Sequence, residues 1–203
     1  MLKVGIMGAS GFAGEELIKI LLGHPEVKII ALAAKIEKMH VSKMYPWAKA
    51  MLDLDCFDMS AEDVGKISDA VFLALPHKIS MDFAPELLKK GKKVIDLSAD
   101  FRIKDKNVYE KWYEINHVCP EYLKKAVYGL PELYRKDIKA ADLIANPGCY
   151  PTSIILGCAP LLKKKIVDTD CIICDSKSGV SGAGMTLTQA LMLTEIATNS
   201  FRP

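Results

Sequence analysis

A cysteine stands near the start of a predicted helix in the segment Asn-Pro-Gly-Cys-Tyr-Pro-Thr, residues 146–152. The dipole at a helix N-terminus favours the thiolate, which is the nucleophilic form of cysteine. Pro151 suits the first turn of that helix, where a backbone N–H would have no partner within the helix. Cys149 is therefore positioned like a nucleophile. A cysteine at a helix start is by itself more often structural, and a nearby dinucleotide site favours the nucleophile. Cys158, further along an apolar helix face, is predicted to be a core residue.

A glycine-rich segment, Gly-Ala-Ser-Gly-Phe-Ala-Gly at residues 8–14, follows an apolar run and opens a helical pattern. Glycines in a dinucleotide-binding loop allow a tight turn, close approach of the pyrophosphate and close packing of helix on strand. The free N–H groups at the helix start then bind the anion. A simple tight turn is the alternative, and the strand–turn–helix context favours the cofactor site. The predicted cofactor-binding residues of this segment are Gly8, Ser10, Gly11, Phe12, Ala13 and Gly14.

The end of the second predicted strand bears on the choice of cofactor. Enzymes that use NAD usually carry Asp or Glu there, about 20 residues after the glycines, to bind the ribose 2′-hydroxyl. Here the strand ends Ala-Leu-Ala-Ala-Lys, with no carboxylate before Glu37. A cation suits a 2′-phosphate, so NADP is predicted, with Lys35 either in contact with that phosphate or solvated in the loop. A cysteine thiol beside a hydride donor is the combination that enzymes use to interconvert aldehydes and acyl groups.

A second glycine-rich segment, Ser-Gly-Val-Ser-Gly-Ala-Gly at residues 178–184, follows a predicted strand. It is either a flexible turn or a backbone surface against the cofactor or substrate, and the second interpretation is favoured. Cys171 and Cys174 have the spacing of a zinc-binding pair. Because they fall in a predicted strand, with no second pair or nearby histidine, no metal site is predicted.

Apolar runs rich in β-formers alternate with helical patterns along the chain, which is typical of a doubly wound α/β fold with a parallel sheet. Residues 36–66 have a mixed pattern and receive no assignment. Residues 101–137 have little periodicity and are predicted to be a surface excursion. The predicted strands are residues 2–7, 27–33, 70–75, 93–97, 143–145 and 171–175, and the predicted helices are residues 14–22, 81–90, 153–164 and 186–198.

The composition limits the class of protein. The 203 residues are 50% apolar and 26% charged, enough apolar side chain for one large folded domain or one and a half. The net charge of +2 gives no sign of a nucleic-acid or anionic-membrane partner. No run reaches the about 18 apolar residues of a membrane span, and the N-terminus enters a strand without a signal-peptide pattern. Six sparse cysteines suggest reduced thiols and a cytoplasmic enzyme.

Six motifs lie in order along the chain, at residues 8–14, 75–77 (Leu-Pro-His), 96–102 (Asp-Leu-Ser-Ala-Asp-Phe-Arg), 128–132 (Tyr-Gly-Leu-Pro-Glu), 146–152 and 178–184. Together they resemble the N-acetyl-gamma-glutamyl-phosphate reductase family, whose relatives are the aspartate-semialdehyde dehydrogenases. The resemblance implies a Rossmann NADP-binding domain over residues 1–147, followed by the first part of an α+β catalytic and dimerisation domain over residues 148–203. It also implies NADPH-dependent reduction of an acyl phosphate through a Cys149 thioester, in arginine biosynthesis, by a homo-oligomer (dimer or tetramer).

The same resemblance implies further site residues. Asn146 corresponds to a site asparagine, Arg102 to a phosphate-binding arginine, and Ser178 to a substrate-orienting position, and all three are expected to bind substrate. Lys78 departs from the family, which commonly has glycine after Leu-Pro-His. The residues expected beside the cofactor are Pro76, His77, Ser181 and Gly182.

Two other functions remain open from the sequence. One is the related aminoadipyl-phosphate reductase of lysine biosynthesis, and the other is a catalytically silent NADP-binding or interaction module. The family carries an essential histidine beyond the position of residue 203, so the chain alone is expected not to turn over. Of its own histidines, His77 is expected near the chemistry, His24 as a cation at a helix end, and His117 in a surface loop.

Overall fold

An eight-stranded sheet organises the chain from residue 2 to residue 145. The structure, a computed structural model, describes residues 1–184. The strands are β1 (Leu2–Met7), β2 (Val27–Ala33), β3 (Met39–His40), β4 (Asp55–Phe57), β5 (Ala70–Leu73), β6 (Lys93–Asp96), β7 (Val127–Tyr128) and β8 (Leu143–Ala145). The α-helices are α1 (Phe12–Leu22), α2 (Val41–Met44), α3 (Ala61–Ile67), α4 (Ser80–Lys89), α5 (Lys106–Tyr113), α6 (Pro131–Ala140) and α7 (Cys149–Lys163). Short 3-10 turns cover Pro46–Ala48, Pro120–Tyr122 and Val180–Ala183.

The strands lie in the order β3-β4-β2-β1-β5-β6-β8-β7, and only the β3–β4 pair is antiparallel. The six strands from β4 to β8 follow the order of a dinucleotide-binding Rossmann sheet. The chain moves outward from β1 on one side and then returns to the other side, so β1 and β5 flank the switch point. Ligands bind in such folds outside the carboxyl ends of the strands at this crevice. The predicted doubly wound α/β fold is confirmed.

Two apolar clusters, one on each face of the sheet, explain the continuous apolar runs of the central strands. Ile18 and Leu21 of α1 pack in the cluster that contains Ile6. Val64 of α3 and Leu87 of α4 pack in the other. A parallel strand that is covered on both faces has a continuous apolar sequence, which is why β1 and β2 could be predicted.

Several predicted elements have the observed bounds, and others begin at a different residue. The strands predicted at 2–7, 27–33 and 143–145 match β1, β2 and β8. Helix α7 begins four residues earlier than predicted, at Cys149, because the Gly-Cys-Tyr-Pro segment itself forms the first turn. The strand predicted at 171–175 is wrong, since those residues form no strand and their side chains are exposed. The helix predicted at 186–198 lies outside the described residues.

Residues 101–137 are not a surface excursion, and that prediction was wrong. The segment contains α5, β7 and most of α6, and it contributes Phe101, Tyr109 and Leu123 to the core. His117, predicted in a surface loop, is only 3% exposed. Its Nε2 pairs with the carbonyl oxygen of Asp100 at 2.8 Å, and its Nδ1 accepts from the backbone N–H of Cys119 at 3.3 Å. These short elements are held by tertiary contacts, which leave little periodicity in the sequence.

The chain divides into two compact units, Met1–Ile173 and Cys174–Pro203. The sheet and all seven described α-helices belong to the first unit. In the second, the structure describes residues up to 184, including the Val180–Ala183 turn. Within residues 1–184, no helix is long and apolar enough to cross a membrane.

Candidate active site

Two positions of the turn between β1 and α1 require glycine. Gly8 has a φ of +86°, in the left-handed region, and a Cβ there would lie 2.7 Å from the carbonyl carbon of Ala74. A Cβ on Gly14 would lie 2.8 Å from the Cα of Ala9. The first glycine therefore lets the loop touch the end of β5, and the second lets α1 pack against the loop.

The start of α1 is an open cradle for an anion. Gly11 is the N-cap, and no side chain caps the helix. The nearest atom to the position of a Cβ on Gly11 is the Gly8 carbonyl oxygen at 3.6 Å, so the approach is free. The backbone N–H groups of the exposed residues Phe12 and Ala13 have no acceptor inside the helix. This arrangement fits the pyrophosphate of a dinucleotide.

A segment that the sequence left unassigned holds the glycine loop in place. The hydroxyl of Tyr45 donates to the carbonyl oxygen of Ala9 at 2.9 Å. Burial raises the pKa of Tyr45 to about 12, so the phenol stays protonated as a donor. Trp47 stacks beside Tyr45 and donates from Nε1 to Glu15 of α1 at 2.8 Å. No local signal marks Tyr45, because its partner lies 36 residues away in the sequence.

Lys35 is exposed in the turn directly after β2. The backbone before it is fixed, since Ala34 donates to the Phe57 carbonyl oxygen at 3.0 Å. Lys38 is bound to Asp55 at 3.0 Å, whereas Lys35 has no ion pair in the part of the chain that the structure describes. Its ammonium group is thus available at the edge of the crevice.

The loop after β5 forms the other wall of the switch point. Pro76 and His77 are exposed, and the Nδ1 of His77 accepts a hydrogen bond from the backbone N–H of Ala99 at 2.9 Å. Lys78 has a φ of +75°. Its backbone N–H donates to Asp100 Oδ1 at 2.8 Å. Hydrogen bonds to the turn after β6 therefore fix two successive residues of this loop.

That turn contains buried carboxylates whose importance the sequence did not reveal. Asp100 is fully buried and accepts from Lys78, from the Met81 N–H at 3.2 Å and from the Tyr109 hydroxyl at 3.0 Å. Burial raises the pKa of Tyr109, which therefore remains a donor. Asp96 is also buried, and burial raises its pKa although Ser98 donates to both of its oxygens. The Asp-Leu-Ser-Ala-Asp-Phe-Arg motif contained this signal, but only its arginine was singled out.

Arg102 connects the ends of two neighbouring strands. Its Nε donates to the Asn146 carbonyl oxygen and its Nη2 to the Leu97 carbonyl oxygen, each at 2.7 Å. Its Nη1 lies 3.2 Å from the position that a Cβ on Gly148 would take. Asn146 itself donates its N–H to the Asp96 carbonyl oxygen at 2.8 Å. Arg102 is therefore half-buried against the loop that leads to Cys149, with its fork partly occupied by backbone.

Cys149 is exposed and is the first residue of α7. Gly148 is the N-cap and has no side-chain cap, while its carbonyl oxygen accepts from the N–H and hydroxyl of Thr152 at 3.0 and 2.8 Å. The N–H groups of Cys149 and Tyr150 therefore face outward from the first turn. Cys158 is only half-buried, so its assignment to the core was wrong. Helix α7 has no fully buried residue, because no second layer of the described chain covers it.

The carboxyl edge of the parallel sheet brings several predicted site residues to one side of the first unit. The loops after β1, β5, β6 and β8 all leave from this edge, and they carry the glycine segment, His77, Arg102 and Cys149. Ser178, Ser181 and Gly182 belong to the second unit. There the Gly182 N–H donates to the Gly179 carbonyl oxygen at 3.0 Å, and a Cβ on Gly182 would overlap the Ser178 hydroxyl. Within residues 1–184, no three His, Cys, Asp or Glu are grouped to hold a metal.

The sheet order and the open helix start after β1 define a dinucleotide-binding α/β protein with a thiol on the ligand edge of its sheet. The chain belongs to the semialdehyde dehydrogenase family. Residues 3–141 match the family model described as "Semialdehyde dehydrogenase, NAD binding domain", and residues 149–203 match "Semialdehyde dehydrogenase, dimerisation domain". These matches confirm the resemblance predicted from the motifs and the prediction of a nicotinamide-dinucleotide domain.

Two curated relatives of the chain carry the same name. It is 49% identical over 185 residues to the N-acetyl-gamma-glutamyl-phosphate reductase of Desulforudis audaxviator, covering 91% of this chain and 54% of the relative. It is 48% identical over 202 residues to the enzyme of that name from Herminiimonas arsenicoxydans, covering 98% of this chain and 58% of the relative. The chain thus spans little more than half the length of the curated relatives it matches.

Solved structures of more distant proteins share the fold. Aspartate semialdehyde dehydrogenase with NADP from Candida albicans superposes with a TM-score of 0.61 at 18% identity, covering 81% of this chain and 47% of that one. Aspartate semialdehyde dehydrogenase II from Vibrio cholerae gives a TM-score of 0.56 at 17% identity, covering 81% and 43%. At these identities the similarity is one of architecture.

Proposed function

We propose that the chain is the cofactor-binding and nucleophile-bearing part of an N-acetyl-gamma-glutamyl-phosphate reductase, which converts N-acetyl-gamma-glutamyl phosphate to N-acetylglutamate 5-semialdehyde and releases phosphate, in arginine biosynthesis. The observation that carries the proposal is the exposed Cys149 at the start of α7, on the same sheet edge as the anion cradle of α1. Relatives that are 48–49% identical bear this name, which supports the choice of substrate.

Cys149 acts as the nucleophile in this proposal. Its thiolate attacks the carbonyl carbon of the acyl phosphate, a carbon–sulfur bond forms, and the bond from carbon to the phosphate oxygen breaks with release of phosphate. The product is a thioester on Cys149. When bound, NADPH supplies the hydride that reduces this thioester. Collapse of the resulting thiohemiacetal anion then frees the aldehyde and returns the Cys149 thiolate.

Backbone groups and Arg102 stabilise the charge that develops. The outward N–H groups of Cys149 and Tyr150 are placed to bind the oxyanion of the tetrahedral intermediate. Arg102 keeps Nη1 beside Gly148, where it can bind the phosphate of the substrate. Asn146, next to these groups, binds substrate. Ser178 has the same role by resemblance.

The cofactor is NADP(H) in this proposal. The open start of α1, with Ser10, Gly11 and Phe12, binds the pyrophosphate, and the exposed Lys35 after β2 binds the 2′-phosphate. Pro76 and His77 are cofactor-binding residues in this proposal, and the resemblance implies a cofactor-binding role for Ser181 and Gly182. Residues 1–147 form the NADP-binding domain and residues 148–203 belong to a catalytic domain that forms homo-oligomers in the cytoplasm.

The test is an assay of the phosphate-dependent reduction of NADP by N-acetylglutamate semialdehyde. The formation of NADPH is monitored by its absorbance. Cys149→Ser is expected to abolish turnover, while Cys171→Ser, which also changes an exposed cysteine, is expected to preserve it. Aminoadipate semialdehyde is assayed in parallel. Preferential turnover of that compound would assign the related reductase of lysine biosynthesis instead.

Residues 1–203 and a version that includes the further length of the curated relatives are compared in the same assay. The prediction that residues 1–203 alone do not turn over stays a prediction until this comparison. NADPH binding is measured on both. Binding without turnover in either version, with Cys149 unreactive, would support a silent NADP-binding module.

A further inference from the structure

His77 is held in one orientation by the turn after β6. Its Nδ1 accepts the backbone N–H of Ala99 at 2.9 Å, and Ala99 is fully buried. A neutral imidazole carries a single proton, so a ring whose Nδ1 accepts a hydrogen bond carries that proton on Nε2. The hydrogen bond therefore assigns the Nε2–H tautomer. The lone pair of the neutral ring is occupied by a backbone donor.

The neighbouring residue reinforces this orientation. Lys78 donates its N–H to Asp100 at 2.8 Å, and Asp100 is itself held by the Tyr109 hydroxyl at 3.0 Å. His77 and Lys78 are thus tied to two residues of the same buried turn. The ring orientation is set by the fold before any ligand arrives.

The free edge of the ring faces the outside of the protein near the switch point. His77 follows β5, and the end of β5 lies against Gly8 of the cofactor loop. The side chain is exposed, and within residues 1–184 its Nε2 has no protein partner. A dinucleotide bound at such a crevice presents phosphate, ribose and carboxamide oxygens, all of which accept hydrogen bonds.

We infer that His77 is a fixed hydrogen-bond donor to an oxygen of bound NADP(H) and is not the general base of the reaction. The inference rests on the cofactor named in the proposed function. To take a proton from a thiol or from water, the neutral ring would have to break its bond with Ala99. To donate, it needs no rearrangement.

Two substitutions test the roles of the two ring nitrogens of His77 separately. The amide oxygen of asparagine replaces Nδ1, so His77→Asn keeps an acceptor for Ala99 and loses the outward donor. The amide nitrogen of glutamine replaces Nε2, so His77→Gln keeps the outward donor. His24→Asn is the matched control, because His24 is exposed and its Nδ1 also accepts a backbone N–H, that of Glu26 at 3.2 Å, after α1.

The experiment measures the dissociation constant of NADPH by calorimetry and the protonation of the ring nitrogens by NMR of ¹⁵N-histidine protein. The expected results are the Nε2–H tautomer at His77, an about tenfold weaker binding in His77→Asn, and binding within about threefold of wild type in His77→Gln and His24→Asn. In the longer version, His77→Asn should raise the KM for NADPH about tenfold, whereas loss of a general base would reduce kcat by about 10²–10⁴.

Several outcomes would overturn the inference. A proton on Nδ1 of neutral His77 would refute the tautomer, and unchanged NADPH binding in His77→Asn would refute the donor. Loss of turnover in His77→Gln with intact binding would make His77 the base. Wild-type protein that binds no dinucleotide would overturn the proposed function as well, which distinguishes that failure from the others.

Discussion

The Nε of Arg102 donates a hydrogen bond to the carbonyl oxygen of Asn146 at 2.7 Å. The same guanidinium donates from Nη2 to Leu97, so one side chain joins the carboxyl ends of β6 and β8. Cys149 follows Asn146 by three residues. The position of the proposed nucleophile therefore depends on a planar fork that bonds two carbonyl groups at once.

Arg102→Lys should weaken this connection although it preserves the charge. An ammonium group cannot reproduce the geometry of two hydrogen bonds in a plane. We expect the free energy of unfolding to fall by about 1–3 kcal/mol, and the alkylation of Cys149 to slow. Urea unfolding and the rate of iodoacetamide labelling measure the two effects. Arg135→Lys, on the exposed surface of α6, is the control and should change neither.

Cys149 should be the most reactive of the six thiols. Burial raises the pKa of Cys56 to about 11 and that of Cys119 to about 12, so both remain protonated at neutral pH. Cys171 and Cys174 are exposed but do not start a helix. The helix start should make Cys149 about two- to fivefold more reactive than these two. Limited alkylation followed by peptide mapping gives the order, and faster labelling of Cys171 would contradict the assignment.

Lys78→Gly should stabilise the protein. Lys78 has a φ of +75°, where a side chain is strained and glycine is not. The expected gain in unfolding free energy is about 1 kcal/mol, less the entropy that a glycine adds to the unfolded chain. Lys111→Gly, at an exposed position inside α5, should instead cost about 1 kcal/mol. Chemical denaturation of both variants tests the opposite signs, and a destabilised Lys78→Gly protein would refute the strain.

Lys35→Glu should weaken the binding of NADP without weakening the binding of NAD. Lys35 is exposed after β2, and reversing its charge places a carboxylate near the proposed 2′-phosphate. We expect the dissociation constant of NADP to rise about tenfold. Lys28→Glu, near the opposite end of the same strand and also exposed, is the matched control. Calorimetric titration with both cofactors decides, and equal losses for NADP and NAD would exclude a 2′-phosphate contact.

Local patterns predicted the centre of the sheet but not its margins. Strands β1 and β2 could be recognised because burial on both faces imposes an apolar run at every position. Strand β3 has two residues and helix α2 has four, too few for any period to appear. The strand predicted at 171–175 failed for a related reason. Its apolar, β-branched residues satisfy a local preference, but a strand also needs a partner, and none is present within residues 1–184.

The residues of the candidate site were likewise predicted from the sequence only in part. The glycine segment and Cys149 were predictable because their chemistry depends on the turn or helix that contains them. Tyr45 and Asp100 were missed because their importance comes from the groups they reach. Tyr45 bonds Ala9 from 36 residues away, and Asp100 bonds Lys78 from 22 residues away. The contact of Tyr45 leaves no trace in a single sequence, whereas the motif that contains Asp100 was recognised without its buried aspartate being singled out.

The position of β1 in the sheet also has a consequence for synthesis of the chain. β1 is made first, yet it lies in the middle of the sheet, between β2 and β5. The β4-β2-β1 half can pair once Phe57 has left the ribosome, while the other edge of β1 stays open until Ala70–Leu73 follow. An open strand edge invites pairing with other chains. Stalled nascent chains should therefore gain protease resistance in two steps, and the interval between them is when a chaperone would be needed most.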